Sequence, residues 1–426
     1  MKKIIFLFLG AILLFSCSSK KEITGKRQDV FFDLTKIQIS AKKQNITISK
    51  PETFTNYYGD SSVLNKNIEN YKVDDFNFKN FSISSKRLYV KNYYFSNPAI
   101  VDNITYSLDT KGNLIAEKND EILWKTKITE ENDFINYYGG KISFYNNTIF
   151  ITSRINEILA LDKEGNIKWR KKINAVPIST PVIENKTLYT ITNDNKLYAL
   201  NTEDGRIKWI HYGTNKDSAI FGSANPVIYK NYVIASYSSG ELFILDKNTG
   251  ETIFNTKLTG KYYLFSNFEL TDIDTTPQIK NNILVATANN GITVGIDLIN
   301  MKILWKQNLS SLTNILINDN FVYLMTTDNV LVNMNLKNGN INYFTQLPQY
   351  ANQKKKKGIV YYKSIIFVND KLFAFNNLKE YITINPKDGR IEKTEKLPFD
   401  FYDKPFSLNN RISGIAFKRK TLKVIY

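Results

Sequence analysis

The sequence predicts an all-β fold, an eight-bladed β-propeller of four-stranded antiparallel blades, from two observations. All four tryptophans stand at one position of a recurring unit, after a turn that carries acidic residues or Gly and before a basic strand end. The fullest copies read DKEGNIKW, ending at Trp169, and NTEDGRIKW, ending at Trp209. The units recur at intervals of roughly 40–50 residues, which fits propeller blades and some helical solenoids. Runs rich in Tyr, Ile, Val and Thr between Asn, Asp and Gly favour strands.

The unit that begins at residue 179 can be divided into four strands. Pro181 stands near the start of an inner strand, where a missing N–H group is tolerated. Residues 187–192 and 196–200 form the next two strands, and residues 206–210 form the outer strand with Trp209. We expect each Trp to pack in the core, covering the outer edge of its blade against the next blade. Degenerate copies carry Phe254, Tyr343 and Lys393 at this position.

The number of blades follows from the prolines and the turns. Asn97-Pro98, Asn225-Pro226 and Thr276-Pro277 are equivalent to Thr180-Pro181 and mark further inner strands. Seven units from residue 95 onward have a recognisable turn before the outer strand, and an eighth, from about residue 405, ends after three strands. We predict that an N-terminal strand within residues 30–40 completes this last blade, which closes the ring and removes its open sheet edges.

The N-terminal residues indicate export. Lys2 and Lys3 precede an apolar run over residues 4–15, which is typical of a signal peptide and shorter than the roughly 20 residues of a membrane span. Leu14 to Cys17 resembles the lipobox of bacterial lipoproteins, which implies cleavage before Cys17 and its acylation; acyl chains would anchor the chain durably. Residues 1–16 are thus predicted to be the signal peptide, 17–29 the lipidated tether, and 30–426 one propeller domain.

The positive net charge does not indicate nucleic-acid binding. The formal net charge is +17, but the lysines are scattered over turns and no basic motif interleaved with aromatics occurs. Residues 354–357 are the one dense run, four consecutive lysines. This run is either a solvated loop or a contact for anionic headgroups or an acidic partner.

The sequence offers little catalytic chemistry. Its one histidine, His211, lies in a predicted outer strand and is interpreted as a surface strand residue. With one Cys and one His, the chain cannot supply a metal cluster built from these residues. No phosphate-binding glycine loop, nucleophile elbow or Cys–His pair is recognisable. We therefore predict no enzymatic activity and no catalytic, metal-binding or cofactor-binding residues.

The most distinctive segment outside the repeats contains Asp272 and Asp274, directly ahead of an inner strand. Residues two apart in an extended chain point the same way, so the two carboxylates should lie together on a loop entering a blade. Such a pair is costly unless a positive group meets it. A cationic side chain of a partner is the functional interpretation, and a calcium site is less supported because calcium usually needs more oxygen ligands. The alternative is a pair of aspartates that cap backbone N–H groups of a turn.

The repeats around Trp209 resemble those of pyrroloquinoline-quinone-type propellers. Together with the lipobox and the segment LTDIDTTP, residues 270–277, they resemble the BamB family of outer-membrane protein assembly lipoproteins. The resemblance covers nearly the whole chain from about residue 90. It implies a non-catalytic scaffold of the β-barrel assembly machinery, held at the periplasmic face of the outer membrane. Ser18 agrees with this location, since an Asp after the acylated Cys commonly signals retention in the inner membrane.

The resemblance also implies the partners. The aspartate pair of the family, here Asp272 and Asp274, and a nearby loop bind the periplasmic POTRA domains of BamA. Other assembly-machinery lipoproteins and unfolded outer-membrane protein precursors are further implied partners. In the second loop the family carries Leu-Arg-Gly, whereas this chain has Ile220 and Phe221 ahead of Gly222. The apolar position is kept and an aromatic replaces the arginine; an apolar anchor beside a charged pair is typical of an interaction hot spot.

Two other classes of protein remain as alternatives. A quinoprotein dehydrogenase has similar repeats but usually needs a calcium site, a cofactor pocket and often an adjacent Cys pair, and Cys17 is the one cysteine here. The fold would also allow a lipoprotein that binds sugar or cell-wall material, because a fold does not determine function. Partner identification after affinity purification would distinguish these classes.

Overall fold

The computed structural model describes residues 38–41, 44–59, 69–74, 98–109, 112–119, 121–129, 140–214, 224–259, 272–289, 291–401, 404–418 and 421–425. Regular structure within these ranges consists of β-strands, which confirms the all-β prediction. None of the described residues belongs to a helix long and apolar enough to cross a bilayer. The strands form eight four-stranded sheets and one two-stranded sheet within the described ranges. We number the four-stranded sheets 1 to 8 in chain order.

Sheets 1 to 7 are antiparallel with neighbours in chain order, as expected for propeller blades. The first four sheets comprise β1 (Ala99–Val101), β2 (Ile104–Leu108), β3 (Asn113–Lys118) and β4 (Glu121–Lys127); β5 (Gly140–Tyr145), β6 (Thr148–Ser153), β7 (Glu157–Asp162) and β8 (Ile167–Lys172); β9 (Val182–Glu184), β10 (Thr187–Ile191), β11 (Lys196–Asn201) and β12 (Ile207–Tyr212); and β13 (Val227–Tyr229), β14 (Tyr232–Ser236), β15 (Glu241–Asp246) and β16 (Thr252–Lys257).

The second half continues the pattern and adds one hairpin. Its strands are β17 (Gln278–Lys280), β18 (Ile283–Thr287), β19 (Thr293–Asp297) and β20 (Lys302–Gln307) in sheet 5; β21 (Leu316–Asn318), β22 (Phe321–Met325), β23 (Val330–Asn335) and β24 (Ile341–Gln346) in sheet 6; the hairpin β25 (Tyr350–Asn352) and β26 (Lys357–Ile359); β27 (Tyr362–Val368), β28 (Lys371–Asn376), β29 (Glu380–Ile384) and β30 (Ile391–Lys396) in sheet 7; and β31 (Asp400–Phe401), β32 (Phe406–Leu408), β33 (Arg411–Lys418) and β34 (Thr421–Ile425) in sheet 8.

Local sequence explains these hairpins. The turn between the first two strands of many sheets carries two residues with positive φ, which are Asn or Asp. These two residue types tolerate the left-handed conformation that tight hairpin turns require. Four of the inner strands, β1, β9, β13 and β17, begin directly after Pro98, Pro181, Pro226 and Pro277. The predicted equivalence of the four X-Pro pairs is thereby confirmed.

The core lies between neighbouring sheets. In sheet 3 the central strand β10 is largely buried, whereas the outer strand β12 is mostly exposed or half-buried. Buried apolar clusters join sheets 1 and 2, 2 and 3, 3 and 4, 4 and 5, and 6 and 7. A further cluster joins Phe375 of sheet 7 and Phe406 of sheet 8 with Ile100 of sheet 1. This cluster also contains Tyr71 and Val73, so residues of sheets 1, 7 and 8 share one buried cluster with the N-terminal segment.

Each of the four tryptophans contacts an outer turn of the sheet that follows its own, as predicted. The Nε1 atoms of Trp124, Trp169 and Trp305 donate hydrogen bonds of 2.8–2.9 Å to backbone carbonyls in the outer turn of the following sheet. Trp305 also lies over Gly339 of the following turn, where φ is +69° and an added Cβ would approach the indole to 2.7 Å. Only glycine fits this position without strain, because the backbone there is left-handed and the indole ring occupies the space of a Cβ atom.

The residue opposite each aromatic side chain makes room for it. Across the outer hairpin, Trp124, Trp169 and Trp209 pair with Ala, and Trp305 pairs with Gly295. The smaller ring of Phe254 pairs with Ile244 instead. The indole therefore occupies volume that a larger cross-strand partner would fill, which explains why the degenerate units change both positions together.

An N-terminal strap, residues 44–59 and 69–74, runs across the turns between first and second strands of several sheets. Asn318 of sheet 6, fully buried, accepts a hydrogen bond from the Ser49 N–H at 2.9 Å and donates to the Glu69 carbonyl at 2.9 Å. The strap also bonds Asn369 of sheet 7 and Asn410 of sheet 8. Side chains of the turns thus provide hydrogen-bond partners for backbone N–H and C=O groups of the strap, which is irregular and does not form a sheet.

Of the N-terminal strand predicted within residues 30–40 to complete the last blade, only the final residues are described, and they pair with another sheet. Ile39 forms a parallel bridge with Ile341, in the outer strand of sheet 6, and the Ser40 N–H donates to the Ile341 carbonyl at 2.8 Å. Residues 38–40 therefore do not complete sheet 8, since they are paired at sheet 6, where the strap begins. In sheet 8, β31, β32 and β34 all pair with β33. Residues 30–37 lie outside the described residues.

Replacement of Asn318 by Ala is expected to lower the free energy of unfolding by about 1–3 kcal/mol, because the strap's N–H and carbonyl groups lose a buried partner. Urea unfolding followed by tryptophan fluorescence measures the change. The exposed Asn248, whose side chain bonds no described residue, provides the control, and its replacement by Ala should change stability by less than about 0.5 kcal/mol. Equal effects of the two substitutions would contradict the role assigned to Asn318.

Candidate functional site

The segment of Asp272 and Asp274 lies in the connection between β16 of sheet 4 and β17 of sheet 5. Ile273 anchors it, with its side chain buried in the apolar cluster between these sheets. Its N–H donates to the Tyr237 carbonyl and its carbonyl accepts from the Ala224 N–H, both at 3.4 Å. The Asp272 carbonyl accepts from the Asn289 N–H at 2.9 Å. The segment is thus held by sheets on both sides.

Residues that precede the inner-strand prolines form a hydrogen-bonded chain beside this segment. The Asn225 side chain accepts from the Thr180 N–H at 2.7 Å, and the Asn225 N–H donates to the Thr276 hydroxyl at 3.0 Å. Thr275 continues toward the next sheet by donating to the Thr313 carbonyl at 3.1 Å. Four successive sheets, 3 to 6, are therefore tied together where their inner strands begin, which fixes the backbone that carries the aspartates.

The two aspartates differ in exposure. Asp272 is 0% exposed, whereas Asp274 is partly exposed. The Oδ2 atom of Asp274 is buried and has no hydrogen-bond partner among the described residues. Burial, and secondly the charge of Asp272, raise the pKa of Asp274 to about 7. Asp274 is thus the more exposed member of the predicted pair.

The aspartates of the repeat turns provide a contrast. Asp246 and Asp297 accept hydrogen bonds within their own turns. Backbone bonds, chiefly from Thr249, lower the pKa of Asp246, and bonds led by the Asn300 side chain lower that of Asp297. These residues fit the turn-capping interpretation. Asp274 does not fit it, because its carboxylate is perturbed in the opposite direction by burial and like charge.

The other predicted partner-binding residues, Ile220 and Phe221, and the predicted lipidation site Cys17 lie outside the described residues. The loop of Ile220 and Phe221 is followed by Ala224, whose N–H bonds the carbonyl of Ile273. The described end of that loop therefore lies directly against the aspartate segment.

His211 packs more deeply than a surface strand residue. Its ring lies parallel to that of Tyr237, with centroids 5.9 Å apart, and its Nδ1 is 2.8 Å from the Tyr237 hydroxyl. Burial lowers the pKa of His211. Sequence reasoning missed this contact, since nothing in the sequence indicates that Tyr237, in the next sheet, reaches across to β12. Within the described ranges, no group of three or more His, Cys, Asp and Glu side chains could hold a metal ion.

Comparison with known proteins gives a consistent result. A family model described as outer membrane protein assembly factor BamB matches residues 110–343. BamB of Moranella endobia is 25% identical over 201 residues, which are 47% of this chain and 52% of that protein. The chain thus spans about half the length of this relative. An uncharacterised protein of Rickettsia prowazekii is 23% identical over 396 residues, covering 91% of this chain and 88% of that protein.

Solved structures share the fold. The structure of BamB from Moraxella catarrhalis matches with a TM-score of 0.65 and 16% identity, over 81% of this chain and 99% of that one. A europium-containing methanol dehydrogenase matches with a TM-score of 0.61 and 11% identity, over 83% of this chain and 88% of that one. At these identities the likeness concerns the fold alone. Because the family model matches more than half of the sequence, this chain belongs to the BamB family of propellers with pyrroloquinoline-quinone-like repeats.

Proposed function

We propose that this chain is a non-catalytic scaffold lipoprotein of the β-barrel assembly machinery, which docks the periplasmic POTRA domains of BamA and assists insertion of outer-membrane proteins. Asp274 makes the charged contact in this proposal, and burial together with the charge of Asp272 raises the pKa of its carboxylate. Ile220 and Phe221 supply the apolar part of the interface. Family membership and the geometry around Asp274 support the proposal. Other assembly-machinery lipoproteins and unfolded precursors are its further partners.

The single observation that carries this function is Asp274, a partly exposed residue whose buried Oδ2 atom lacks a hydrogen-bond partner among the described residues. Burying such a group without compensation costs free energy, and an arriving Lys or Arg would offset that cost. Strongly perturbed carboxylates are enriched at functional sites. The rigid backbone of the segment, tied to three sheets, would present this carboxylate in a fixed position.

The proposed architecture is a closed ring of eight blades. Sheets 1 to 8 serve as the blades, and the cluster that joins Ile100 with Phe406 supports contact between the last blade and the first. The strap supports closure as well, because it bonds sheet 6 at Ser49 and the Ile100 carbonyl of sheet 1 through the Tyr57 N–H. Eight extended residues span at most about 29 Å, so sheets distant in sequence must lie near one another.

The proposed location is the periplasmic face of the outer membrane, with Cys17 as the acylated anchor. Relatives named as outer membrane protein assembly factors support an association with this membrane. The signal peptide, the lipid and the tether rest on the sequence of residues 1–29. Several acyl chains would make this attachment durable, since one chain alone binds only marginally.

Asp274→Arg tests the docking proposal by co-purification of BamA with the tagged chain from membranes. We expect at least a tenfold loss of recovered BamA, because a like charge would face the partner's cation. The exposed Glu164, in an outer turn of sheet 2, provides a matched control, and Glu164→Arg should leave recovery unchanged. Unchanged recovery with Asp274→Arg would remove this residue from the interface.

Recovery of cell-wall material or of a quinone cofactor in place of BamA would favour the alternative classes.

A further inference from the structure

A basic hairpin, residues 350–359, projects from the connection between sheets 6 and 7. Strands β25 and β26 form a two-stranded sheet separate from the blades, with Tyr350 opposite Ile359. Residues 351–359 are all exposed. The tip has defined turn bonds, because the Asn352 Oδ1 accepts from the Lys355 N–H at 2.9 Å and the Gln353 side chain donates to the Tyr350 carbonyl at 2.8 Å. Four consecutive lysines, 354–357, are therefore displayed by an ordered turn.

The positive charge of this hairpin is not compensated by its surroundings. The whole connection, residues 347–361, contains no Asp or Glu. Other lysines of the described ranges, such as Lys247 and Lys363, form ion pairs, whereas none of the four hairpin lysines does so with a described residue. Four like charges this close repel one another. An anionic surface would relieve the repulsion, and water and salt alone do so only in part.

Apolar side chains accompany the lysines. Ile359 is 73% exposed, the highest value among the large hydrophobic residues of the described ranges, and Tyr361 is 56% exposed. Lysine stems and tyrosine rings combine an apolar body with a polar tip, which suits the boundary between lipid headgroups and acyl chains. An apolar contact added to a polybasic patch gives stronger membrane binding than either feature alone.

We propose that the basic hairpin is a contact for an anionic phospholipid surface. The choice of a membrane over an acidic protein rests on the residue type. Lysine ammonium groups on flexible stems attract charge without fixed geometry, whereas recognition of protein carboxylates favours the rigid bidentate fork of arginine, which this hairpin lacks. The hairpin and Asp274 both lie in connections from the fourth strand of one sheet to the first strand of the next. In the proposed ring of antiparallel blades such connections share one end, so the lipid contact would turn the docking end of the chain toward the membrane.

Vesicle co-sedimentation tests this proposal on the full chain with Cys17→Ala, so that no acyl chain contributes. We compare vesicles of phosphatidylglycerol and phosphatidylcholine with vesicles of phosphatidylcholine alone. We expect tighter binding to the anionic vesicles. Replacing all four hairpin lysines by Gln should weaken that binding roughly 600-fold, since each lysine near an anionic surface contributes about fivefold. Raising the salt concentration should also weaken binding of the chain with the unmodified hairpin to the anionic vesicles.

A matched variant separates the hairpin from net charge. Lys302, Lys306, Lys387 and Lys396 are exposed lysines in the outer parts of sheets 5 and 7, and their joint replacement by Gln removes the same charge. This control should retain nearly all anionic binding. Equal losses in both variants, or unchanged binding of the hairpin variant, would overturn the proposal. The proposal would also be overturned if the hairpin variant bound vesicles as before but lost an acidic protein partner. BamA co-purification, measured in parallel, separates failure of this proposal from failure of the docking proposal.

Discussion

Trp305→Ala is expected to lower the free energy of unfolding by about 3–5 kcal/mol, the range for removing a large buried aromatic side chain. Trp305 is 7% exposed and lies between Gly295 of its own sheet and Gly339 of the next. Its removal leaves a cavity that two glycines cannot fill, and the Leu336 carbonyl loses the indole donor at 2.8 Å. Since one residue joins two sheets, the loss affects the contact between them. Urea unfolding followed by circular dichroism measures the effect.

The neighbouring Leu304 provides the control for this experiment. It lies on the same strand and is 37% exposed. Leu304→Ala should cost well under about 1.5 kcal/mol, because its side chain already contacts water in the folded state. Comparable costs of the two substitutions would contradict the view that the tryptophans hold adjacent sheets together.

Asp274→Asn is expected to stabilise the fold at pH 8 by about 2–4 kcal/mol and to have little effect near pH 4. The pKa of Asp274 is raised from its ordinary value of 3.8 to about 7 by burial and the charge of Asp272. The folded chain therefore binds the proton of the Asp274 carboxyl group more tightly than the unfolded chain does. The stability gained from this proton is fully present below pH 4 and is lost as the pH rises through 7. Each pKa unit corresponds to about 1.4 kcal/mol.

Thermal unfolding of both chains between pH 4 and pH 8 measures this dependence. Asp297→Asn serves as a control of opposite sign, because hydrogen bonds from Asn300 and Ile299 lower the pKa of Asp297. Asp297→Asn should therefore destabilise the fold at pH values above the ordinary pKa of aspartate. A pH-independent effect of Asp274→Asn would show that its carboxylate is not perturbed in the folded chain.

The repeat-level features could be predicted because each is encoded within a few residues. The tryptophan, the glycine of the following turn and the X-Pro pairs recur in sequence, and the structure places them as expected. The closeness of Asp272 and Asp274 could also be predicted, since residues two apart share a face of an extended segment.

Other features depend on contacts between residues far apart in sequence. The strap follows no strand period, and its partners Asn318 and Asn369 are more than 250 residues away. Complete burial of Asp272 depends on how neighbouring sheets pack around its segment. The sequence left the role of residues 354–357 open, because a run of lysines alone does not show that an ordered hairpin presents them.

Direct binding of the purified chain to the BamA periplasmic domains of the same organism, at pH 6 and pH 8, tests the central claim. Asp274 with a pKa of about 7 should be mostly neutral at pH 6 and ionised at pH 8, so affinity should rise about tenfold between them. The Asp274→Asn variant should bind the BamA domains weakly, and with equal affinity at the two pH values. Absence of binding, or a rise in affinity that persists in Asp274→Asn, would contradict a docking role for this carboxylate.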